Sequence, residues 1–352
     1  MKRIPHSRPL LGAAEQHAVR RVLASGLLTQ GAEVASLERE MALKLRRQHA
    51  IAVSSGTAAL HLALCALGIR SGDRVALPSY VCSALLHAVS LVGAEALVID
   101  VDPTTFNLDP DDLGKRLRSR TKAIIVPHMF GLPARFSEIE AYGVPVIEDC
   151  ALALGSKFRR KPVGSLGVLS VISFYATKMM ATGEGGMVLG DRTALMADVR
   201  DRRSYDGRSQ HRLRFNYKMT DLQAALGRVQ LRRLASFVRR RRRLAAYYAS
   251  RLSGGPWDLP FIDENHSFYR FVARPRRGTK RLLTELERRG IGARRPVFRP
   301  LHRYLGLRGY PGAEEAYRRA VSIPLYPALS RAEAERVARA TRRIGDLLAR
   351  ER

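Results

Sequence analysis

Ser173-Phe174-Tyr175-Ala176-Thr177-Lys178-Met179-Met180-Ala181-Thr182-Gly183-Glu184-Gly185-Gly186 is the stretch from which the fold can be read. The apolar, largely β-branched run ahead of it, Val168 to Phe174, reads as a buried strand. Met187 to Leu189 reads as another, reached through a glycine-rich turn. Between them stands a lone lysine, Lys178. A lysine at the end of a buried strand sits where its pKa can be depressed, and an uncharged amine is a Schiff-base nucleophile. Ser173 places a hydroxyl where it can meet a phosphate in the same cleft. Taken alone, the pattern is also that of a solvated loop charge, so the neighbours decide.

On the amino-terminal side, Ala50 to Val53 reads as a strand, and Ser54-Ser55-Gly56-Thr57-Ala58-Ala59-Leu60 opens a helix that runs through Leu67. A strand feeding a small-residue turn and a helix start is phosphate-binding geometry. Free N–H groups and the helix dipole face the anion, and Gly56 lets it come close. An N-cap serine or threonine with no ligand is the plainer alternative. Further strands are expected at Arg74–Leu77, Ala96–Asp100, Lys122–Pro127 and Val144–Glu148, with helices at Ala84–Val92, Asp111–Leu117 and Ser137–Tyr142. Alternating strands and helices with near-continuous apolar strands predict an α/β fold, a mostly parallel sheet covered by helices on both faces. In such sheets ligands sit at the carboxyl ends of the strands. Just past those ends stand Ser55–Thr57, Tyr80–Cys82, His128, Asp149 and Lys178. Asp149 emerges from a buried strand, where a carboxylate is costly unless paired. Facing a protonated ring nitrogen it would be stabilised and would keep that nitrogen charged. Capping the segment from Ala151 onward is its alternative role.

Helices are also expected at Ala13–Leu23 and Glu33–Leu45, before the first strand. After Leu189 the pattern becomes more helical. Asp201 to Tyr217 is polar and arginine-rich and reads as a loop, leading into a helix from Leu222 that continues to Leu252. This helix links a large domain, residues 1–235, to a smaller α+β domain, residues 236–352. Strand-like Ser267–Ala273 and helices at Thr279–Arg289 and Ala332–Leu348 belong to the latter.

With 352 residues, 46% hydrophobic and 26% charged, the chain has an ordinary globular composition. Met1 to Arg8 is basic without an apolar stretch, and no apolar run is long enough to span a bilayer. Cys65, Cys82 and Cys150 stand in apolar contexts, as reduced thiols do. A cytoplasmic protein with no membrane partner is expected. The formal net charge of +29 raises the question of nucleic acid. Yet the cations are mostly arginine and dispersed, and the dense run Arg239 to Arg243 lies on the wet face of an amphipathic helix pattern. No recognition module or aromatic ladder accompanies them, which speaks against a nucleic-acid partner.

These motifs, in this order, resemble the DegT family of sugar aminotransferases, pyridoxal-phosphate enzymes of fold type I in the aspartate aminotransferase superfamily. The resemblance runs from Ile4-Pro5-His6 and Ser25-Gly26-Leu27-Leu28-Thr29-Gln30-Gly31 through Ser54-Ser55-Gly56-Thr57, Val101-Asp102-Pro103, His128-Met129-Phe130-Gly131 and Glu148-Asp149-Cys150-Ala151 to Pro300-Leu301-His302 and Ser322-Ile323-Pro324-Leu325. It implies a seven-stranded sheet, with 1–235 as the cofactor-binding domain, and pyridoxal 5′-phosphate as cofactor. Lys178 matches the Schiff-base lysine and Asp149 the acid facing the pyridinium nitrogen. Gly56, Thr57 and Ser173 match phosphate-binding positions. Asn216 matches an asparagine that reaches the phosphate of the neighbouring subunit, which implies a homodimer with shared active sites.

Two positions depart from the family pattern. Cys82 stands where an aromatic residue commonly stacks on the ring, and Leu152 where histidine or glutamine neighbours the ring hydroxyl. Tyr80 or His128 is the residue expected to compensate. The implied partners are an amino donor, glutamate by analogy, and a keto-sugar acceptor linked to a nucleotide, whose diphosphate suits arginines. Arg203, Arg294, Arg299 and His302 are the candidates there. Amination of a cyclitol-type ketone, or a non-catalytic regulatory or nucleic-acid-binding member, are the competing outcomes.

Overall fold

The computed structural model describes residues 2–350. Two helices, α1 (Ala13–Ser25) and α2 (Ala32–Leu45), precede an alternating run: β1 (His49–Val53), α3 (Gly56–Ala66), β2 (Arg74–Pro78), α4 (Ala84–Leu91), β3 (Glu95–Ile99), α5 (Pro110–Arg116), β4 (Thr121–Pro127), α6 (Phe136–Glu140) and β5 (Val146–Asp149). A short ribbon, β6 (Lys157–Phe158) and β7 (Lys161–Pro162), comes before β8 (Leu169–Ser173) and β9 (Gly186–Gly190). β1 to β5, β8 and β9 form one seven-stranded sheet in the order β1-β9-β8-β5-β4-β2-β3. Only β9 runs against the rest, paired antiparallel to both β1 and β8. The sheet is therefore seven-stranded and mostly parallel, as expected.

Period-two burial places the layers. Ile51 and Val53 join side chains of α3, α4 and α7 (Thr193–Arg202) in one core. Ala50 and Ala52 face the other way, onto α2 and α8 (Asp221–Leu252). Ile124 and Val126 meet α5 and α6. With both faces dry, every strand residue can be apolar, which is why these strands read as runs and not as alternations. α8 starts with a capping box, Thr220 Oγ1 accepting from Gln223 N and Gln223 Oε1 accepting from Thr220 N. Asp221 in its first turn accepts the N–H groups of Gly31, Glu33 and Val34, so one carboxylate also caps α2.

Beyond α8 lie β10 (Trp257–Asp258), β11 (Phe271–Pro275), α9 (Thr279–Arg288), α10 (Leu301–Tyr304), α11 (Pro311–Arg319), β12 (Val321–Ile323) and α12 (Arg331–Arg350), with a three-stranded sheet β10-β11-β12. α8 is unbroken across residues 235 and 236, and Leu301, Tyr310, Ala313 and Ala316 pack into the α3–α4 side of the main sheet. The expected strand at Ser267–Ala273 begins only at Phe271. The reason is tertiary: Ser267 and Arg270 donate their N–H groups to Gly131 and Phe130, across the boundary, and Phe268 takes a left-handed φ of 53°. α7, α10 and α11 have no counterpart in the sequence reading. No helix among the described residues is long and apolar enough to cross a membrane.

Candidate active site

β5 and β8 are neighbours, and their carboxyl ends deliver Asp149 and Ser173 to the same edge of the sheet. Immediately beyond β1, Ser55 caps α3 by accepting the N–H of Ala58 at 3.0 Å. Its oxygen serves as the cap, and the N–H groups of Gly56 and Thr57 find no acceptor among the described residues. The helix start is pressed against β8 so closely that a Cβ on Gly56 would stand 2.8 Å from Ser173 Cβ. Gly186 is held similarly: a Cβ there would fall 2.3 Å from the Ser55 carbonyl oxygen. The glycines in this turn are thus close-approach residues, and what they bring together is a helix dipole, two free amides and a hydroxyl.

These groups open on a cleft of about 250 Å3, lined by Gly56, Thr57, Cys82, Asp149, Leu152, Ser173 and Lys178, with Leu60, Val81 and Leu85 on its apolar wall. Asp149 is buried and accepts one hydrogen bond at Oδ1, 2.9 Å from Ala151 N. Burial raises its pKa above the usual carboxylate range. The Ala151 amide, Lys178 and His128 pull the other way without overcoming it. A cation entering the cleft next to Asp149 would therefore be bound by a carboxylate short of partners.

Lys178 lies on the β8–β9 connection, its backbone N–H on Tyr175 O at 2.8 Å. Its ammonium sits over the ring of Tyr269, 5.6 Å from the centroid. Tyr269 was not found in the sequence reading. It is buried, and its hydroxyl meets Arg270 Nη2 at 3.1 Å and Thr177 Oγ1 at 3.3 Å. Burial alone would raise the phenol's pKa, but Arg270, Lys178, Thr177 and Arg241 outweigh it and bring it down to about 8. Arg241, buried within α8, donates to the carbonyls of Tyr269 and Leu325 and so fixes this wall. An aromatic flanked by an arginine was the one available sign, and nothing local ties it to Lys178.

The remaining sequence candidates are scattered. Cys82 and Leu152 line the cleft. Tyr80 and His128 do not: Tyr80 is wholly buried against Phe106, and His128 is wholly buried with Glu148. Because His128 Nδ1 accepts the Ala134 N–H, its Nε2–H donates to Glu148 at 3.0 Å, and neither atom is left for a ligand. Arg203 is equally committed, in a buried pair with Glu38 at 2.7 Å and a bond to Ala52 O. His302 is sealed between Ser79 and Glu314. His128, Arg203 and His302 are structural, their polar groups spent on buried hydrogen-bond networks, whereas the buried Tyr80 hydroxyl has no hydrogen-bond partner among the described residues. Arg294 and Arg299 are exposed and outside the cleft wall. Asn216 is also exposed, beside the stacked pair Phe215–Tyr217, and does not line the cleft of its own chain.

The donor set matches pyridoxal phosphate: an amine for its aldehyde, a partner-poor buried acid for its ring nitrogen, and a glycine-tight cradle at a helix start for its phosphate. Comparison with known proteins agrees. The model of the DegT/DnrJ/EryC1/StrS aminotransferase family matches residues 9–342. The aminotransferase TlmJ from Streptoalloteichus hindustanus is 33% identical, covers 97% of this chain and 98% of its own, and superposes with a TM-score of 0.91. DesV from S. venezuelae is 32% identical over 97% of this chain and 99% of its own, with a TM-score of 0.90. Spr1654 from Streptococcus pneumoniae, named as a candidate sugar aminotransferase and solved in its PLP form, is 25% identical over 98% and 99%, with a TM-score of 0.92.

Proposed function

Because the chain belongs to the DegT/DnrJ/EryC1/StrS aminotransferase family, and is thus a pyridoxal-phosphate-dependent aminotransferase, we propose that it carries an amino group from glutamate to the ketone of a nucleotide-linked sugar. The observation that carries this is the convergence of Lys178, Asp149 and the Gly56–Ser173 cradle on one cleft. Pyridoxal phosphate supplies the aldehyde that accepts the amino group and the ring that takes up the electron pair released at the reacting carbon. The protein's part is binding, charge and proton placement.

Gly56 and Thr57 would hold the phosphate through backbone N–H groups, with the Ser173 hydroxyl completing the cradle. Asp149 would pair with the ring nitrogen and favour its protonated form; burial disfavours the lone carboxylate, a cost that a cation beside it would offset. Lys178 Nζ would hold the cofactor through its aldehyde carbon and, as a free amine, would carry a proton at the reacting carbon. Tyr80 is too deeply packed to assist, which leaves Cys82 and Leu152 as the side chains beside the ring. A thiol and an isobutyl group pack on a ring face but give its hydroxyl no strong donor. Asn216 would reach the phosphate of a second copy in a homodimer. Its exposure, on a segment that also exposes Tyr205 and Leu213, supports that assignment.

Purified protein mixed with pyridoxal phosphate will develop a visible absorption band that Lys178→Ala does not show. A protein that stays colourless ends the enzymatic reading. With glutamate as donor, 2-oxoglutarate release across a panel of nucleotide-linked keto sugars and cyclitol ketones identifies the acceptor. Turnover only with the cyclitol would replace the sugar assignment.

A further inference from the structure

We propose that a groove remote from the cleft, formed by the end of α2, the β6–β7 ribbon and the middle of α8, binds a small anion bearing several phosphate groups. Its volume is about 380 Å3, within the range of small-molecule sites. Six cations line it: Lys44 and Arg46 from the end of α2, Lys157 and Arg160 from the ribbon, and Arg239 and Arg242 from α8. The last two belong to the dense arginine run of the sequence, which the aminotransferase assignment leaves unexplained. Lys44 and Arg46 also complement the carbonyls at the end of α2, which accounts for two of the six.

Neutralisation separates this groove from the other basic surfaces. Along α8 and α12, Arg339 pairs with Glu335 and Arg342 with Asp346, and near α11 Arg319 pairs with Glu315. No carboxylate lines the α2–ribbon–α8 groove. Among the described residues, Lys44, Arg46, Lys157, Arg160 and Arg239 form no ion pair, and Asp263 and Glu264, which act on Arg242, lie outside the wall. Cations gathered without counter-charge repel one another, a cost that an anion removes.

The frame is rigid. A Cβ on Gly155, whose φ is 91°, would stand 2.7 Å from Val238 Cγ2, so the ribbon's base lies hard against α8. Arg242 Nε is fixed on His266 O at 2.9 Å. The ribbon turns through Arg159 and Arg160, at φ 46° and 68°. Asn-Gly suits two successive positive φ values; two arginines there are locally unfavourable, and the turn displays their guanidiniums all the same. No aromatic side chain lines the groove, which favours a compact polyphosphate over stacked bases. The site lies beyond the amino end of β1, whereas the cleft opens at its carboxyl end.

The test titrates sodium tripolyphosphate into cofactor-loaded protein by calorimetry at low and moderate salt. We expect one saturable site per chain, weakened by salt, and at least tenfold weaker in Arg160→Glu and in Arg239→Glu. Arg343→Glu and Arg318→Glu, in the other basic grooves, should bind as wild type, and unchanged circular dichroism will verify folding in all four. Absence of saturable binding, or equal loss in all four variants, overturns the site. A single-stranded oligothymidylate that binds more tightly than tripolyphosphate and displaces it overturns the small-anion class in favour of a nucleic-acid backbone.

Discussion

Gly56→Ala probes the cradle at its tightest point. The new methyl would lie 2.8 Å from Ser173 Cβ. An ordinary carbon–carbon approach is about 3.5 Å, so the first turn of α3 and the end of β8 must part by about 0.7 Å. A shift of that size turns a 2.9 Å hydrogen bond into one of about 3.6 Å, which is no longer a bond. One lost bond to a charged phosphate is worth about 1.5–3 kcal/mol. The cofactor's Kd should therefore rise about 10- to 150-fold. The better helix propensity of alanine, about 0.5–1 kcal/mol, acts on folding in the opposite direction, so thermal stability without cofactor should change little. Because the collision is with Cβ, adding Ser173→Ala cannot relieve it, whereas adding Ser173→Gly can. Titration of cofactor-free variants with pyridoxal phosphate, followed by visible absorption, measures all of this. Affinity within about threefold of wild type, or rescue by Ser173→Ala equal to that by Ser173→Gly, would refute the close-contact account.

Asp149→Asn should lower the transamination rate about 10²- to 10³-fold, measured in single turnovers with saturating cofactor. The same change should stabilise the cofactor-free protein at pH 7. Burial raises this carboxyl's pKa, so the folded state bears a cost above that pKa and none in acid; the gain in Tm should vanish as pH falls below the unfolded value of 3.8. Glu148 has the opposite sign. Burial opposes its ionisation, yet His128 and the amides of Gly164 and Leu166 hold its pKa below the ordinary 4.5. Its contribution is present above 4.5 and lost as pH falls through the folded value, so Glu148→Gln should show a flatter decline of Tm in acid than wild type. Arg203→Met leaves Glu38 with the half-exposed Arg200 and the Ala52 amide and should cost about 1–3 kcal/mol of stability in denaturant unfolding, while the KM for the amino donor stays unchanged.

The strands of the main sheet were legible because each lies between two helical layers and is apolar throughout, as Ile124 to Val126 and Val146 to Ile147 show. The meeting of Gly56, Asp149, Ser173 and Lys178 was legible because parallel strands collect their carboxyl ends on one edge. Tyr269 was not, since its tie to Lys178 depends on how residues 267–270 dock on Gly131, at long range in sequence. Arg203 and His302 misled for a physical reason. A polar side chain has the same letter whether it waits for a ligand or closes a buried network with Glu38 or with Ser79 and Glu314.

The antiparallel placement of β9 sets how far the reactive amine can travel. Phe174 N–H donates to Gly185 O, Ala176 N–H to Gly183 O and Thr182 N–H to Phe174 O, so the loop bearing Lys178 is stitched shut at its neck and grows from two adjoining strands. In the proposed role of Lys178 the amine would let go and return in each cycle, with its four-carbon stem as the part left to swing. Lengthening this leash between Thr182 and Gly183 would leave the amine chemically intact but without a fixed home. Such a protein should recapture its cofactor slowly while binding the phosphate as tightly as before.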